Sequence, residues 1–276
     1  MSPITGATRL AAVIGDPVEH SRSPAIHNAA YAATDLDWVY VALRVPPGLG
    51  GDAVRAMPAL GIRGLNVTMP HKEAAAAACD ELSPVAAALG VVNTVVLRAD
   101  GRVRGDSTDG EGLLRSLAEV GLDPSGRRVA VLGAGGVARA VVLAIGAAGA
   151  EVTVVGRRPE ACASAAALVQ GVEARPWAEA GQVAAAVDVV VNATPIGMGA
   201  DGAGMLPSAG RGQWAVDLVY HPARTAFLTA SERAGAEVVG GLGMLVHQAA
   251  LAFEQMTGRD APIEAMRRAA EGAGTA

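Results

Sequence analysis

The chain has 276 residues, 51% of them hydrophobic and 3% aromatic, with 22 Lys and Arg against 27 Asp and Glu for a formal net charge of −5. That length allows two domains with separate cores, and the apolar share excludes a disordered chain. The absence of a Lys/Arg block and the scarcity of aromatic rings argue against a nucleic-acid surface and leave a small-molecule partner as the expectation.

The start, Met-Ser-Pro-Ile-Thr-Gly, lacks a basic segment followed by an apolar run, and no uninterrupted apolar stretch reaches the ~18 residues of a membrane span. No membrane partner and a cytoplasmic location are expected. Cys79 and Cys162 have neither metal-type nor CxxC spacing and read as buried free thiols of a reducing compartment, with no metal site.

Leu10–Ile14 reads as a first buried strand, closed by Gly15-Asp16-Pro17. The polar stretch after it turns helical at Ser23, a residue type suited to the N-cap, with Pro24 at the first helical position. Ser21 and Ser23 thus sit in a strand-to-helix loop, where open α/β sheets bind ligands; the plainer reading is a turn and a cap. His20 and His27 lack partners at metal-ligand or triad spacing and are read as structural. Trp38–Val45 is a second strand, and Gly50–Leu60 is a helix. Gly64-Leu-Asn-Val-Thr-Met-Pro-His-Lys72 is a short strand stopped by Pro70, followed by a helix expected to run to Asp80. Asn66, Thr68 and Lys72 cluster at this strand end. A lysine just inside a helix N-terminus opposes the macrodipole, which favours a functional cation over a solvated one.

Gly90–Arg98 is the next strand, and Ala99-Asp-Gly101 turns it into Arg102–Gly105. Asn93 interrupts that strand: a buried amide there either ties down backbone or faces a ligand. Gly105–Gly112 opens a helix running to Val120, and Asp109 is either an acid favoured by the helix dipole or a carboxylate bordering a ligand site. Arg128–Ala140 combines a short apolar run with Gly133, Gly135 and Gly136, then a helix-forming segment. Gly133 suits a tight turn, Gly135 lets backbone N–H groups approach a pyrophosphate, and Ala138 keeps helix and strand close. Glu151–Val155 completes a βαβ unit of about the expected 30 residues. Further on, Asp188–Met198 holds a strand ending in a turn, and Trp214–Pro222 is a further strand. Glu237–Met244 then leads into a helix over Leu245–Thr257 and a last one over Pro262–Glu271. Ala193 and the Gly/Met-rich sequel to Met205 are expected to be mobile.

Ser21-Arg-Ser-Pro24, Asn66-Val-Thr-Met-Pro-His-Lys72, Gly90-Val-Val-Asn-Thr94 and Ser107-Thr-Asp109, in that order ahead of a Gly-Ala-Gly-Gly turn, resemble the shikimate dehydrogenases, including the related quinate enzymes. One departure is visible: the family's junction motif commonly reads Asn-Thr-Asp, and Ser107 replaces that Asn. The resemblance implies an α/β fold in two domains. A substrate domain with a mainly parallel sheet covers 1–108 plus 243–276, and a Rossmann-like NADP domain covers 109–242. It implies Lys72 and Asp109 as the catalytic pair, and Ser21, Ser23, Asn66, Thr68, Asn93, Tyr220 and Gln248 around the substrate, with Gln248 in the first turn of its helix. On the cofactor side it implies Gly133, Ala134, Gly135, Gly136, Val137 and Ala138 in the glycine turn, Arg157 and Arg158, then Asn192, Ala193, Thr194, Leu218, Gly241 and Met244. Where an NAD-specific enzyme usually offers an acid to the ribose 2′-OH, Gly156-Arg157-Arg158-Pro159 places cations instead, which suits the 2′-phosphate of NADP.

The activity implied is reversible NADPH-dependent reduction of 3-dehydroshikimate to shikimate in aromatic amino acid (chorismate) biosynthesis, by a monomer or homodimer. An NAD-preferring quinate/shikimate or aminoshikimate dehydrogenase is the near alternative. A non-catalytic protein that senses cofactor is the distant one, and retention of both Lys72 and Asp109 argues against it.

Overall fold

The computed structural model describes residues 3–198 and 205–272. Of the stretch expected to be mobile, 199–204 lies outside the described residues. The chain forms two compact units, Met1–Thr108 with Val246–Ala276, and Asp109–Leu245.

The first unit contains β1 (Arg9–Gly15), α1 (Ser23–Ala33), β2 (Trp38–Arg44), α2 (Gly50–Leu60), β3 (Ile62–Val67), α3 (Lys72–Ala78), β4 (Glu81–Leu82), α4 (Pro84–Leu89), β5 (Thr94–Leu97) and β6 (Val103–Asp106). Its sheet runs β2-β1-β3-β5-β6-β4. The pairs β1/β2, β1/β3 and β4/β6 are parallel, while β5 runs antiparallel to both neighbours. Ala12 and Ile14 face a core shared with Val54 and Met57 of α2 and Ala75 and Ala76 of α3. Ala11 and Val13, equally buried, alternate to the opposite face, so β1 is covered on both sides and reads as a continuous apolar run.

Three local departures from the sequence expectations have identifiable causes. Ser23 is the first residue of α1 rather than its cap, and the Ser21 hydroxyl accepts from the Ser23 N–H at 3.3 Å. The helix after Lys72 ends at Ala78, not Asp80. Asp80 instead accepts from the Val103 N–H at 2.7 Å, drawing the chain into β4, and Ser83 caps α4 through the Ala86 N–H at 3.1 Å. The strand expected from Gly90 begins only at Thr94, because Gly90, at φ 67°, terminates α4 in the left-handed region.

The second unit contains α5 (Asp109–Glu119), β7 (Arg128–Leu132), α6 (Gly136–Ala147), β8 (Glu151–Gly156), α7 (Pro159–Ala166), β9 (Glu173–Pro176), a 3₁₀ turn (Trp177–Glu179), α8 (Ala180–Ala185), β10 (Val189–Asn192), β11 (Trp214–Asp217), α9 (Ala226–Arg233) and β12 (Glu237–Val239). α10 (Leu242–Thr257) and α11 (Ile263–Gly272) follow, and the boundary between the units falls within the first turns of α10. The sheet order is β12-β11-β10-β7-β8-β9 with every pair parallel, the doubly wound dinucleotide-binding order, whose switch point lies between β7 and β10. Alternation serves both faces here too: Val129 and Val131 pack with α5 and α6, whereas Ala130 and Leu132 pack with α8 and α9. Burying the central strands β7, β8, β10 and β11 on two sides explains their runs of Val without polar alternation, whereas the edge strand β9, Glu-Ala-Arg-Pro, is exposed.

α10 starts at Leu242, three residues earlier than expected, so Gln248 lies in its second turn. Gly241 supplies the carbonyl that the Leu245 N–H bonds at 3.0 Å. Cys162 is buried, but Cys79 is only half-buried, and both are free thiols.

Candidate functional site

In the first unit, residues from four chain segments meet in one polar cluster at the ends of β1 and β3. Tyr40, 1% exposed in the middle of β2, donates its phenol to Asn66 Oδ1 at 2.6 Å. The Ser23 hydroxyl bonds the same phenol, and burial raises the Tyr40 pKa well above that of an ordinary tyrosine, so the group stays a donor. Asn66 Nδ2 donates to the Asn93 carbonyl and to Thr94 Oγ1, each at 3.1 Å. The Asn93 carbonyl, which can only accept, fixes which end of the amide is nitrogen, and with it the role of the Tyr40 phenol as donor to Oδ1.

Asn93 holds backbone through its Oδ1, which accepts from the Thr108 N–H at 2.9 Å. Its Nδ2 donates to Thr108 Oγ1 at 3.0 Å and reaches Gln248 Oε1 at 3.5 Å. Thr108 in turn donates its hydroxyl to the Gln248 carbonyl at 3.1 Å, so α10 is stitched to the segment that carries Asn93, just ahead of β5. Thr68 follows β3 directly, and its methyl presses on Gly15, where a Cβ would have no room. Lys72 is the first residue of α3, half-buried, and its carbonyl accepts from the Val92 N–H at 3.2 Å. The structure therefore brings Ser23, Asn66 and Asn93 into one network with Gln248, joined by Tyr40 and Thr108, two residues that the sequence did not single out.

Beneath this cluster His27 stacks on Tyr40 with ring centroids 4.3 Å apart and planes 3° from parallel. Neither of its ring nitrogens has a protein partner, and burial pushes its pKa down to about 3. The structural reading of His27 fits a neutral imidazole used as an aromatic plate.

In the second unit, Asp109 is the first residue of α5 and is 7% exposed. Gly133 adopts φ 118°, and a Cβ there would lie 2.8 Å from the Ala193 carbonyl oxygen, so only glycine lets the β7 and β10 turns approach. Gly135 precedes α6 with extended backbone and no side-chain cap, and nothing would lie within 4 Å of a Cβ at that position. The first N–H groups of a twelve-residue helix are therefore presented at an open position, as an anion site requires. Ala138, fully buried, seats α6 on the sheet, and Gly136 and Val137 form its first turn.

A cleft of about 940 Å³ opens at the carboxyl ends of β7, β8, β9 and β10. Gly133, Ala134 and Gly135 line it together with Arg157 and Arg158, both exposed, and with Ala193 and Thr194. Trp177 and Met198 line it as well, unanticipated from the sequence. Asn192 lies behind the lining at zero exposure: its Nδ2 donates to Asp217 at 2.9 Å and to the Ile196 carbonyl at 3.1 Å. Its Oδ1 accepts from the Thr194 N–H at 3.0 Å and the Thr194 hydroxyl at 2.7 Å, which shapes the turn. Asp217, a fully buried carboxylate also missed from the sequence, accepts in addition from Thr225 Oγ1 at 2.6 Å and the Val219 N–H at 3.0 Å. Burial raises its pKa, and these hydrogen bonds oppose the rise. Gly241 packs directly on the Leu218 carbonyl, Met244 is buried in the core with α5 and α6, and Tyr220 stands half-buried three residues past β11.

The open helix start, the glycine cradle and the two arginines fit a dinucleotide carrying a 2′-phosphate. Among the described residues no helix is long and apolar enough to cross a membrane.

Comparison with known proteins agrees across the chain. Residues 13–95 match the shikimate dehydrogenase substrate binding domain, and 241–271 match the shikimate 5′-dehydrogenase C-terminal domain. Residues 128–220 match the domain described as NADP oxidoreductase, coenzyme F420-dependent. The shikimate dehydrogenase (NADP(+)) of Moorella thermoacetica is 43% identical, covering 97% of this chain and 94% of its own. A shikimate 5-dehydrogenase from Thermus thermophilus, solved with NADP(H) and shikimate, superposes with a TM-score of 0.87 at 38% identity over 96% of this chain and 100% of its own. A further shikimate dehydrogenase, solved with NADP+, gives 0.92 at 33% identity over 100% and 99% of the two chains.

Proposed function

The chain belongs to the shikimate dehydrogenase family, and on that premise we propose how its residues carry the family's reaction. It is an NADP-dependent oxidoreductase of a CH–OH group that interconverts 3-dehydroshikimate and shikimate in aromatic amino acid biosynthesis. The observation that carries the cofactor half is the cleft of the second unit, where Arg157 and Arg158 stand at the carboxyl end of β8. Two cations there suit a 2′-phosphate by charge and by bidentate hydrogen bonding. The N–H groups at the start of α6 receive the pyrophosphate, with Ala193 and Thr194 along the same wall. When bound, NADPH supplies the hydride that reduces the ring carbonyl.

Lys72 donates the proton that the carbonyl oxygen gains and stabilises the negative charge as it develops there; in the reverse direction it takes the proton back. Asp109, acceptor-only when ionised, takes a hydrogen bond from a ring hydroxyl and so orients the ring. The Ser21 and Ser23 hydroxyls hold the substrate carboxylate, and Thr68, Asn66, Asn93, Tyr220 and Gln248 address the ring hydroxyls. What supports this for the first unit is the convergence of Ser23, Asn66, Asn93 and Gln248 in one hydrogen-bonded network at the strand ends. The protein acts in the cytoplasm as a monomer or homodimer; its two unpaired thiols suit a reducing compartment.

The test is oxidation of shikimate or quinate with NADP or NAD, followed by absorbance of the reduced cofactor. Shikimate with NADP is expected to give the highest kcat/KM. A higher kcat/KM for quinate with NAD overturns the substrate and cofactor assignment, and no turnover with any pair overturns the catalytic reading.

A further inference from the structure

Resting on the NADP reading above, we infer that Trp177 is the stacking wall for the adenine base, a contact that nothing in the glycine turn or the arginine pair predicts. The cleft at the strand ends contains one aromatic ring among the described residues that line it, that of Trp177. Aromatic side chains are scarce in this chain, which has 3 Trp, 3 Tyr and 2 Phe in 276 residues, so a ring on a glycine-lined cleft that also carries two arginines is not a background event.

Trp177 opens the 3₁₀ turn that follows β9, and β9 pairs with β8, whose end carries Gly156, Arg157 and Arg158. The indole is half-buried: one part packs on the core formed with α8 and α9, and the rest faces the cleft. An adenine and the phosphate on its ribose 2′-oxygen are separated by a single sugar. A ligand whose phosphate meets Arg157 and Arg158 therefore has its base within reach of a ring on the neighbouring strand end. The base brings a π face that needs an apolar or aromatic partner, and every base offers such a face. Ala161, in the first turn of α7, and Met198 also line the cleft and add apolar surface without adding a second ring. Trp177 thus positions the adenosine half of the cofactor, while the arginines read its phosphate.

The chain's other two tryptophans do not line this cleft, and Trp214 sits at the amino end of β11, away from the carboxyl ends that frame it. Quenching of tryptophan emission by an adenine nucleotide therefore reports on Trp177. The experiment titrates the full chain with adenosine 2′,5′-bisphosphate, by fluorescence and by calorimetry, in wild type, W177F, W177L and an R157A/R158A double variant. Wild type is expected to bind with a drop in emission. W177F should bind within about threefold of wild type, because a ring remains, with the drop abolished. W177L should bind roughly five- to a hundredfold more weakly, the range of one lost base–ring stack. Thermal unfolding of W177L checks that the underlying core is intact, and W177F covers the case in which it is not.

Equal affinity in W177L and wild type overturns the inference while leaving the cofactor reading in place, provided R157A/R158A binds more weakly. Quenching that persists in W177F overturns it as well. Failure of the wild type to bind the bisphosphate or NADPH at all overturns the NADP reading, and this inference with it.

Discussion

Replacing His27 by Phe isolates a single buried ionisation. The His27 imidazole stacks on Tyr40, has no protein partner at either nitrogen, and is pushed by burial from 6.5 down to about 3. In the unfolded chain the ring takes up a proton below pH ~6.5, and in the folded protein it does not until about pH 3. The unfolded state therefore binds more protons throughout that window, and stability falls as the pH drops through it. At about 1.36 kcal/mol per pH unit, going from pH 6.5 to 5.0 removes about 2 kcal/mol, and the full window roughly 5 kcal/mol. Phe keeps the ring stack and does not titrate. At pH 7.5 its removal of unpartnered nitrogens, worth about 1–3 kcal/mol, is offset by overpacking of similar size. The sharper quantity is the double difference: between pH 7.5 and 5.0 wild type should lose about 2 kcal/mol more than H27F. Urea unfolding at the two pH values, with m unchanged between variants, measures it. Equal losses in both proteins would refute the claim that a neutral His27 is enforced by burial.

Three further outcomes follow from the site. K72A should lower kcat by about 10²–10⁴, the usual share of general acid–base catalysis, with shikimate affinity by calorimetry within several-fold; near-normal turnover sinks the proton-transfer role. R157A/R158A should weaken NADP by at least about tenfold, two charge-assisted contacts being lost, and leave NAD within roughly threefold; equal losses show that the pair does not read the phosphate. Y40F removes the donor that holds Asn66 Oδ1 at 2.6 Å. It should cost about 1–3 kcal/mol in urea unfolding and raise the shikimate KM more than it lowers kcat; an unchanged KM with unchanged stability would show that the amide needs no such anchor.

The parts of the molecule legible in sequence are those where one residue type has one physical use. A short apolar run before Gly133, Gly135 and Gly136 could hardly be other than a strand, a tight turn and a helix start, and the φ of 118° at Gly133 is the conformation that only glycine takes at ease. Arg157 and Arg158 were legible because of where they stand in a βαβ unit. Trp177 was not, because it follows an exposed strand, Glu173–Pro176, whose pattern does not tell where the ring will lie; nor were Tyr40 and Asp217, each in a strand whose neighbours are apolar, where the pattern says only that the segment is buried. Which of its side chains meets a polar partner depends on register and on elements distant in sequence: Asn66 lies 26 positions from Tyr40, and Asn192 lies 25 from Asp217. The early stop of α3 has the same origin, a bond from the Val103 N–H to Asp80 across 23 positions overriding an alanine run with high helix propensity.

The asparagines at the strand ends show how such a site is built. A primary amide has two N–H donors and one oxygen acceptor, and all three kinds of bond are made inside the protein by Asn66 and by Asn192. Each therefore acts first on the loop beside it: Asn192 fixes the turn that presents Ala193 and Thr194 to the cleft, and Asn66 fixes the strand end that carries Thr68. With both Asn66 N–H groups engaged, what it can still offer a ligand is an oxygen lone pair, which suits a hydroxyl donor and not a carboxylate. The Ser21 and Ser23 hydroxyls, in the segment between β1 and α1, can each donate as well as accept, which is compatible with the carboxylate role proposed for them.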